Sequence, residues 1–344
     1  MARILYGIQG DAGGHVNRAM AVAELLRGHE LLFAGGGMAE RVRSAGYDCV
    51  PLPVVGTRVH NGELRIGATL RDFARMLGAQ AGHVRRLAEI ITAFDPKVII
   101  TDYEYFTPRA AARLGRTCVS LDHQHVVSRT AHRPPGQIPA RYMLLTAMRA
   151  LLPNVSGCLI SSFHQPPLVD PARDRMFGTL PRSDVPALQA GDGDHAVAYL
   201  PDCDLRKITA LFGGRRREYR VYGQGKRSRQ GNIIFREPGR EQFLDDLASC
   251  AYVVSCGGHG LLTEALYLRK PCLCFPRRLL YEQYWNGYFV QHNGYGRCFM
   301  RFDLPPDAMD GFEASLDAYK TRIAAHNFDG REDLRACIAG LLAS

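Results

Sequence analysis

Tryptophan occurs once in the 344 residues, at Trp285. No apolar run approaches the ~18–20 residues that cross a bilayer, and the richest stretch, residues 143–152, is broken by Arg149. The opening residues, Met1-Ala2-Arg3-Ile4-Leu5-Tyr6-Gly7, enter a strand-like run without the charged segment, long apolar core and cleavage site of a signal peptide. A cytoplasmic protein is expected. Acidic residues are scarce as well: 34 Asp and Glu stand against 43 Lys and Arg, a formal charge of +9. That excess suits anionic partners such as nucleotides, phospholipid headgroups or nucleic acid. No RRM, zinc-finger or helix-turn-helix pattern is present, which ranks a non-catalytic nucleic-acid-binding role last. The ten cysteines lie scattered through apolar segments, and Cys49, Cys118, Cys158, Cys250 and Cys298 read as small reduced hydrophobes. The close pair Cys272-x-Cys274 has no second pair and no His at ligand spacing, so no structural metal is expected.

What is present is ordinary globular composition, 46% hydrophobic and 22% charged, in a chain long enough for about two domains of roughly 100–200 residues. Short apolar runs at residues 3–8, 30–33 and 49–52 alternate with helical stretches at 16–27 and 38–45, the rhythm of a parallel sheet covered by helices. After a polar loop around residues 60–67, a helix is expected over 69–94. A buried strand follows at 98–102 and ends on Asp102, leading through Tyr103-Glu104-Tyr105 into a helix over 107–114. The carboxyl edge of such a sheet is where ligands bind, although Asp102 is equally readable as the N-cap of the next helix. His123 and His125 follow a further strand at 117–121. The stretch 129–149 combines Pro, Arg and His with apolar residues and reads either as an amphipathic interfacial helix or as one packed on the sheet.

A strand at 157–161 closes this half. Residues 170–194, carrying Pro171, Pro181, Pro186, Gly191 and Gly193, read as a linker, after which the strand and helix rhythm restarts at 195. Residues 1–178 hold 21 Lys and Arg against 14 Asp and Glu, and the remainder 22 against 20, so the positive excess lies in the first half.

Two glycine-rich turns carry the candidate chemistry. The first, Gly10-Asp11-Ala12-Gly13-Gly14-His15-Val16-Asn17-Arg18, joins the first strand to the first helix. Glycines there let the backbone approach a ligand, and the helix start offers N–H groups to an anion. The turn lacks the Gly-Lys-Ser/Thr of a Walker A loop and a complete G-x-G-x-x-G, which weakens ATPase and dehydrogenase readings. His15 sits where the helix dipole disfavours a cation, so a neutral imidazole able to accept a proton is expected; it reads equally as a residue that merely bonds the loop. The second turn, Ser255-Cys256-Gly257-Gly258-His259-Gly260-Leu261-Leu262-Thr263-Glu264, again runs from strand to helix and would hold a diphosphate, with Glu264 a turn further on for ribose hydroxyls.

Residues 255–295, with Gly-Gly-x-Gly-x-x-Thr-Glu-Ala-Leu, Lys270-Pro271, Phe275-Pro276, Glu282-Gln283-x-x-Asn286 and His292-Asn293-Gly294-Tyr295, resemble the donor-binding region of GT-B glycosyltransferases. They look most like the branch holding MurG and the UDP-glycosyltransferases, which the N-terminal Gly-x-x-Gly-Gly-His loop also matches. The resemblance implies an α/β fold of two Rossmann-like domains facing across a cleft: residues 1–178 binding the acceptor, a linker at 179–194, and 195–344 binding the nucleotide-sugar, with the last helix free to return to the first domain. It places the donor diphosphate on Gly257, Gly258, His259, Gly260, Leu261 and Thr263, the ribose on Glu264, and the base on the backbone of Phe243 and Leu244. Glu282, Gln283 and Asn286 fall on the donor sugar side. Gly13, Gly14, Asn17 and Arg18 form the acceptor-side loop. The chain departs from MurG at Tyr199-Leu200-Pro201-Asp202-Cys203, where a glycine-rich loop is expected.

The activity implied is inverting and metal-independent sugar transfer from a nucleotide-sugar, UDP-linked by resemblance, to an acceptor hydroxyl, with no separate cofactor. His15 is the expected base, with Asp102, Glu104, Asp11 or the His123/His125 pair orienting or replacing it. Asp192-Gly193-Asp194 has the spelling of a metal-binding Asp-x-Asp but falls in the linker. The alternative in another class is a UDP-GlcNAc 2-epimerase. A lipid-linked or small-molecule acceptor, and contact with the anionic inner face of a membrane, would account for the basic first half.

Overall fold

A computed structural model describes residues 1–344 except 12, 55, 57, 58, 61, 62, 238 and 344. Ala12 of the first glycine turn, and Asn61 and Gly62 of the expected polar loop, therefore lie outside the described residues. The first half runs β1 (Arg3–Ile8), α1 (Gly13–Leu25), β2 (Glu30–Gly35), β3 (Asp48–Pro51), the short hairpin β4 (Val59–His60) and β5 (Glu63–Leu64), α2 (Ile66–Phe94), β6 (Val98–Asp102), α3 (Phe106–Arg113), β7 (Val119–Asp122), α4 (Val126–Arg129), α5 (Ile138–Leu151), β8 (Gly157–Ser161) and β9 (Arg175–Phe177). The second runs β10 (His195–Tyr199), α6 (Leu205–Phe212), β11 (Glu218–Tyr222), β12 (Ile233–Arg236), α7 (Arg240–Ser249), β13 (Tyr252–Ser255), α8 (His259–Tyr267), β14 (Cys272–Cys274), α9 (Tyr281–His292), β15 (Gly296–Cys298), α10 (Ala308–Ala314), α11 (Leu316–Ala324) and α12 (Arg331–Ala343).

Strands β3-β2-β1-β6-β7-β8-β9 form one sheet and β12-β11-β10-β13-β14-β15 a second, every neighbouring pair within them parallel. Both are α/β and doubly wound, and in each the strand order reverses beside the first strand. Loops on the two sides of such a reversal open a crevice at the carboxyl edge. In the first sheet Ile8 stands beside Asp102, and in the second Tyr199 stands beside Ser255. Each glycine turn thus leaves its sheet at the crevice.

Buried parallel strands explain why near-continuous apolar runs such as Val98-Ile99-Ile100 read clearly as strands. Two local expectations change. The segment Gly37–Ala45 is a 3₁₀ helix, and the proline-rich stretch read as loop from 170 onward contributes β9 to the first sheet and a single 3₁₀ turn at Val185–Ala187. Helix α12 carries Leu334 and Ile338 into the apolar cluster of the first sheet, with Ile4, Tyr6 and Val98. The stretch around 129–149 is a helix, α5, whose Ala140 and Met148 are buried. It packs with Leu144 and Leu145 in a cluster that holds Trp285 and Phe289 of α9, so this cluster spans both halves. Its Ile138 and Tyr142 remain exposed, at 62% and 60%.

Candidate active site

The first turn folds tightly because Gly10 has no side chain: a Cβ there would lie 1.7 Å from the Gly36 carbonyl oxygen. Helix α1 then presents His15 and Arg18, three residues apart and so on one face, to the end of β6. His15 Nδ1 lies 2.7 Å from Asp102 Oδ1. Arg18 grips the same carboxylate with both arms, Nη2 to Oδ1 at 2.6 Å and Nε to Oδ2 at 2.8 Å, and the Tyr6 hydroxyl donates to Oδ2 at 3.3 Å. All of these side chains are buried. Burial alone would raise the Asp102 pKa, but Arg18 and His15 outweigh it and hold the carboxyl below its ordinary value.

The same pairing works against the helix dipole at His15. Burial opposes the imidazolium, but the Asp102 charge and hydrogen bond outweigh it and lift His15 above its ordinary value of 6.5. A full negative charge 2.7 Å away dominates the half charge of a helix N-terminus. With Nδ1–H donated to Asp102, Nε2 is the nitrogen left to accept a proton. Tyr103, in a left-handed backbone conformation at φ 59°, lays its ring along His15 with centroids 6.3 Å apart.

Asp102 is not the cap of α3. Glu104 takes that place, its carboxylate accepting from the Phe106 and Thr107 amides at 2.9 and 2.6 Å and from the Thr107 hydroxyl at 2.7 Å. The Glu104 carboxylate is thus engaged with the start of α3. His125 is paired with Asp122 at 2.6 Å, which raises it to about 10 despite burial.

The two glycine turns face each other: a Cβ on Gly260 would lie 3.7 Å from the Gly14 Cα. Gly13 is half-buried, Gly14 exposed and Asn17 half-buried. Helix α8 makes its first backbone bond from the Leu262 N–H to the Gly258 carbonyl, so the N–H groups of residues 259–261 are not used within the helix. Gly257 is required by its φ of 82°, and a Cβ there would lie 2.7 Å from the Gln283 carbonyl. Its amide bonds Ser255 Oγ at 3.1 Å. Among the described residues, buried Thr263 has no partner on Oγ1 and buried His259 none on Nε2. Burial, with the charges of His123, Arg18 and His15, keeps His259 well below its ordinary value. His123 of the first half stacks on it, centroids 3.6 Å apart at 12°.

Three sequence assignments change here. Asn286 is fully buried, its Oδ1 facing His123 Nε2 at 2.7 Å and its Nδ2 donating to the Gly257 carbonyl at 2.9 Å. It braces the turn instead of facing a sugar. Phe243 and Leu244 lie inside α7, where the Phe243 N–H bonds the Gly239 carbonyl, so their backbone is committed to the helix and does not read a base. Gln283 accepts from the Arg277 amide at 3.2 Å. Glu282 lies in the first turn of α9 and is half-buried. Leu261 is half-buried beside the apolar cluster that spans the halves.

Glu264 is buried and held in a two-pronged ion pair by Arg182, at 2.5 and 2.7 Å. Burial raises its pKa and Arg182 counters that rise. The Arg182 guanidinium also lies 5.8 Å over the Phe243 ring. Neither Arg182, a lone arginine among linker prolines, nor the brace from His123 had a spacing signal that would have found it.

Residues 2–317 match the family model described as Glycosyl transferase family 1. The chain belongs to that family. This glycosyltransferase is 24% identical to an uncharacterized glycosyltransferase of Methanosarcina acetivorans, over 86% of this chain and 83% of that one. It is 26% identical to the UDP-N-acetylglucosamine--N-acetylmuramyl-(pentapeptide) pyrophosphoryl-undecaprenol N-acetylglucosamine transferase of Nitratidesulfovibrio vulgaris (strain DP4), over 78% and 75%. Its fold matches the solved structure of the spinosyn forosaminyltransferase SpnP over 100% of both chains, with a TM-score of 0.70 at 15% identity. The fold is GT-B.

Proposed function

We propose that this glycosyltransferase is inverting and metal-independent, and moves a sugar from a UDP-linked nucleotide-sugar to an acceptor hydroxyl with His15 as general base. The observation that carries the reading is the buried contact of 2.7 Å between His15 Nδ1 and Asp102 Oδ1, at the point where the two glycine turns meet. Asp102 fixes the ring and stabilises the imidazolium that forms, while Nε2 takes the acceptor proton. The acceptor oxygen bonds the anomeric carbon as the bond to the diphosphate breaks, and the electron pair leaves on phosphate. The α8 amides of residues 259–261, with His259, receive that charge, so the reaction needs no cofactor. Residues 195–344 serve the donor, 179–194 link the halves, and 1–178 serve the acceptor. The UDP-named relative supports the choice of nucleotide. Family membership favours transfer over an epimerase, and incubation with donor alone separates them: an isomerised sugar nucleotide marks an epimerase.

The acceptor is proposed to reach the site from an anionic membrane surface. The start of α5, at Pro139 and Ala140, lines a hollow of about 730 Å³ with Arg278, Leu279, Met300 and Arg301, and Ile138 and Tyr142 on the same helix are exposed, apolar side chains on a helix beside cations that suit an interface. Among the described residues no helix is long and apolar enough to cross a membrane. Sedimentation that does not depend on anionic lipid would remove this part. For the chemistry, a thermal-shift screen of UDP, dTDP and GDP sugars identifies the donor by the stabilisation that binding brings. His15→Ala then lowers turnover by about 10²-fold or more with donor affinity retained; unchanged turnover eliminates His15 as the base.

A further inference from the structure

Cys203 and Cys256 lie on opposite sides of the crevice in the second sheet. Tyr199 and Ser255 are register partners at the ends of β10 and β13. Cys256 is the next residue after Ser255, and Cys203 closes the short loop that leaves Tyr199. Their sulfurs stand 3.9 Å apart, with neither joined to another cysteine. Among the described residues this is the one cysteine pair within hydrogen-bonding reach. The rest of the setting is built to hold them there. Gln224 Nε2 donates to the carbonyls of Leu200 and Cys203 at 2.6 and 3.2 Å, Asp202 takes a left-handed φ of 58°, and the Arg277 side chain donates to the Pro201 carbonyl. Cys203 is partly exposed, so a small oxidant reaches the pair, while Cys256 is buried at 6%.

We infer that Cys203 and Cys256 are an oxidisable dithiol, which a hydroperoxide converts to a reversible disulfide across the loops that follow β10 and β13. The contact with the Cys203 sulfur, with the nearby charge of Arg277, holds the Cys256 thiol below its ordinary value against burial, which favours it as the attacking thiolate. That thiolate attacks the peroxide, the O–O bond breaks, and Cys256 becomes a sulfenic acid as the peroxide leaves as an alcohol, or as water from hydrogen peroxide. Cys203 sulfur then attacks Cys256 sulfur and expels water. Two thiols and one hydroperoxide give one disulfide, one alcohol and one water. A dithiol reductant reverses the step by exchange.

Closing the sulfurs from 3.9 Å to the ~2.05 Å of a disulfide pulls the Gly257–Gly258 turn toward the β10 loop. On the proposed function, that turn receives the donor diphosphate on its N–H groups, and displacing it weakens UDP binding. This consequence rests on the donor-site reading; the disulfide itself does not.

The test treats the reduced full-length protein with hydrogen peroxide, alkylates it with N-ethylmaleimide, and reads intact mass, peptide map and UDP affinity by calorimetry. The expected result is two fewer N-ethylmaleimide adducts after denaturing alkylation than on the reduced control, restored when dithiothreitol precedes alkylation, a linked peptide pair containing Cys203 and Cys256, and weakened UDP binding. Cys203→Ser gives neither the link nor the loss of affinity on peroxide treatment. No link, a link to a different cysteine, or direct over-oxidation of Cys256 to sulfinic acid overturns the proposal. A link with unchanged UDP affinity overturns the control of donor binding. If the reduced protein does not bind UDP, the donor reading fails, and the peptide map still decides the disulfide.

Discussion

Replacing Asp102 by Asn keeps the shape of the side chain, removes its charge and breaks a fully occupied set of hydrogen bonds. Asp102 accepts from His15, twice from Arg18 and from Tyr6. An amide has one acceptor oxygen and a donor NH₂ that meets an Arg18 N–H in either orientation. The buried guanidinium then loses its counter-charge, which costs about 3–5 kcal/mol; against a typical total of about 5–15 kcal/mol the variant folds, with a lower melting temperature. Catalysis loses the group that orients the imidazole, about 10²–10⁴-fold in turnover, or ~2.7–5.4 kcal/mol of transition-state stabilisation. The assay is the pH profile of turnover below the melting transition. In the parent protein His15 must lose its proton to act, so the rate climbs with pH through a pKa above 6.5. Without the carboxylate, burial and the Arg18 charge both lower His15, and the acidic limb moves to lower pH while the plateau falls. A folded variant whose limb does not move, or whose plateau is unchanged, refutes the reasoning.

The other expectations concern binding and stability. Glu264→Ala weakens UDP binding about tenfold or more, since a charged hydrogen bond contributes ~1.5–3 kcal/mol; a nucleotide titration with unaltered affinity removes Glu264 from the site. Gly7→Ala puts a methyl 2.2 Å from Thr107 Oγ1, the hydroxyl that helps hold the Glu104 cap, and costs about 1–3 kcal/mol by denaturant titration. Asp102, held below its ordinary value of 3.8, contributes stability that is complete above that value and is lost as pH falls through its folded pKa. His15, held above 6.5, contributes stability that is complete below that value and fades as pH rises through its folded pKa. Melting temperatures across pH should show the acid loss diminished in Asp102→Asn.

The sheets were legible because buried parallel strands are short continuous apolar runs between helical stretches, and glycine turns after β1 and β13 marked both crevices. The edge strand β9 was hidden because Arg175-Met176-Phe177 is short and sits among prolines. His15 and Asp102 are 87 residues apart in sequence, so sequence could name both yet not choose Asp102 over Glu104, which stands in the same loop but spends its carboxylate on α3. Asn286 matched a donor motif, but its burial depends on His123, 163 residues away. For Phe243 and Leu244 a local signal existed: with Leu247 they share the apolar face of a helix, which commits their amides.

The central claim is tested most directly by following hydrolysis of an α-linked UDP-sugar by the protein alone, with EDTA present, using proton NMR of the first sugar released. Attack from the face opposite the leaving diphosphate predicts the β anomer at early times, before mutarotation, at a rate unaffected by EDTA. Early release of the α anomer contradicts inversion, and loss of release on adding EDTA contradicts a reaction driven by His15 and backbone amides.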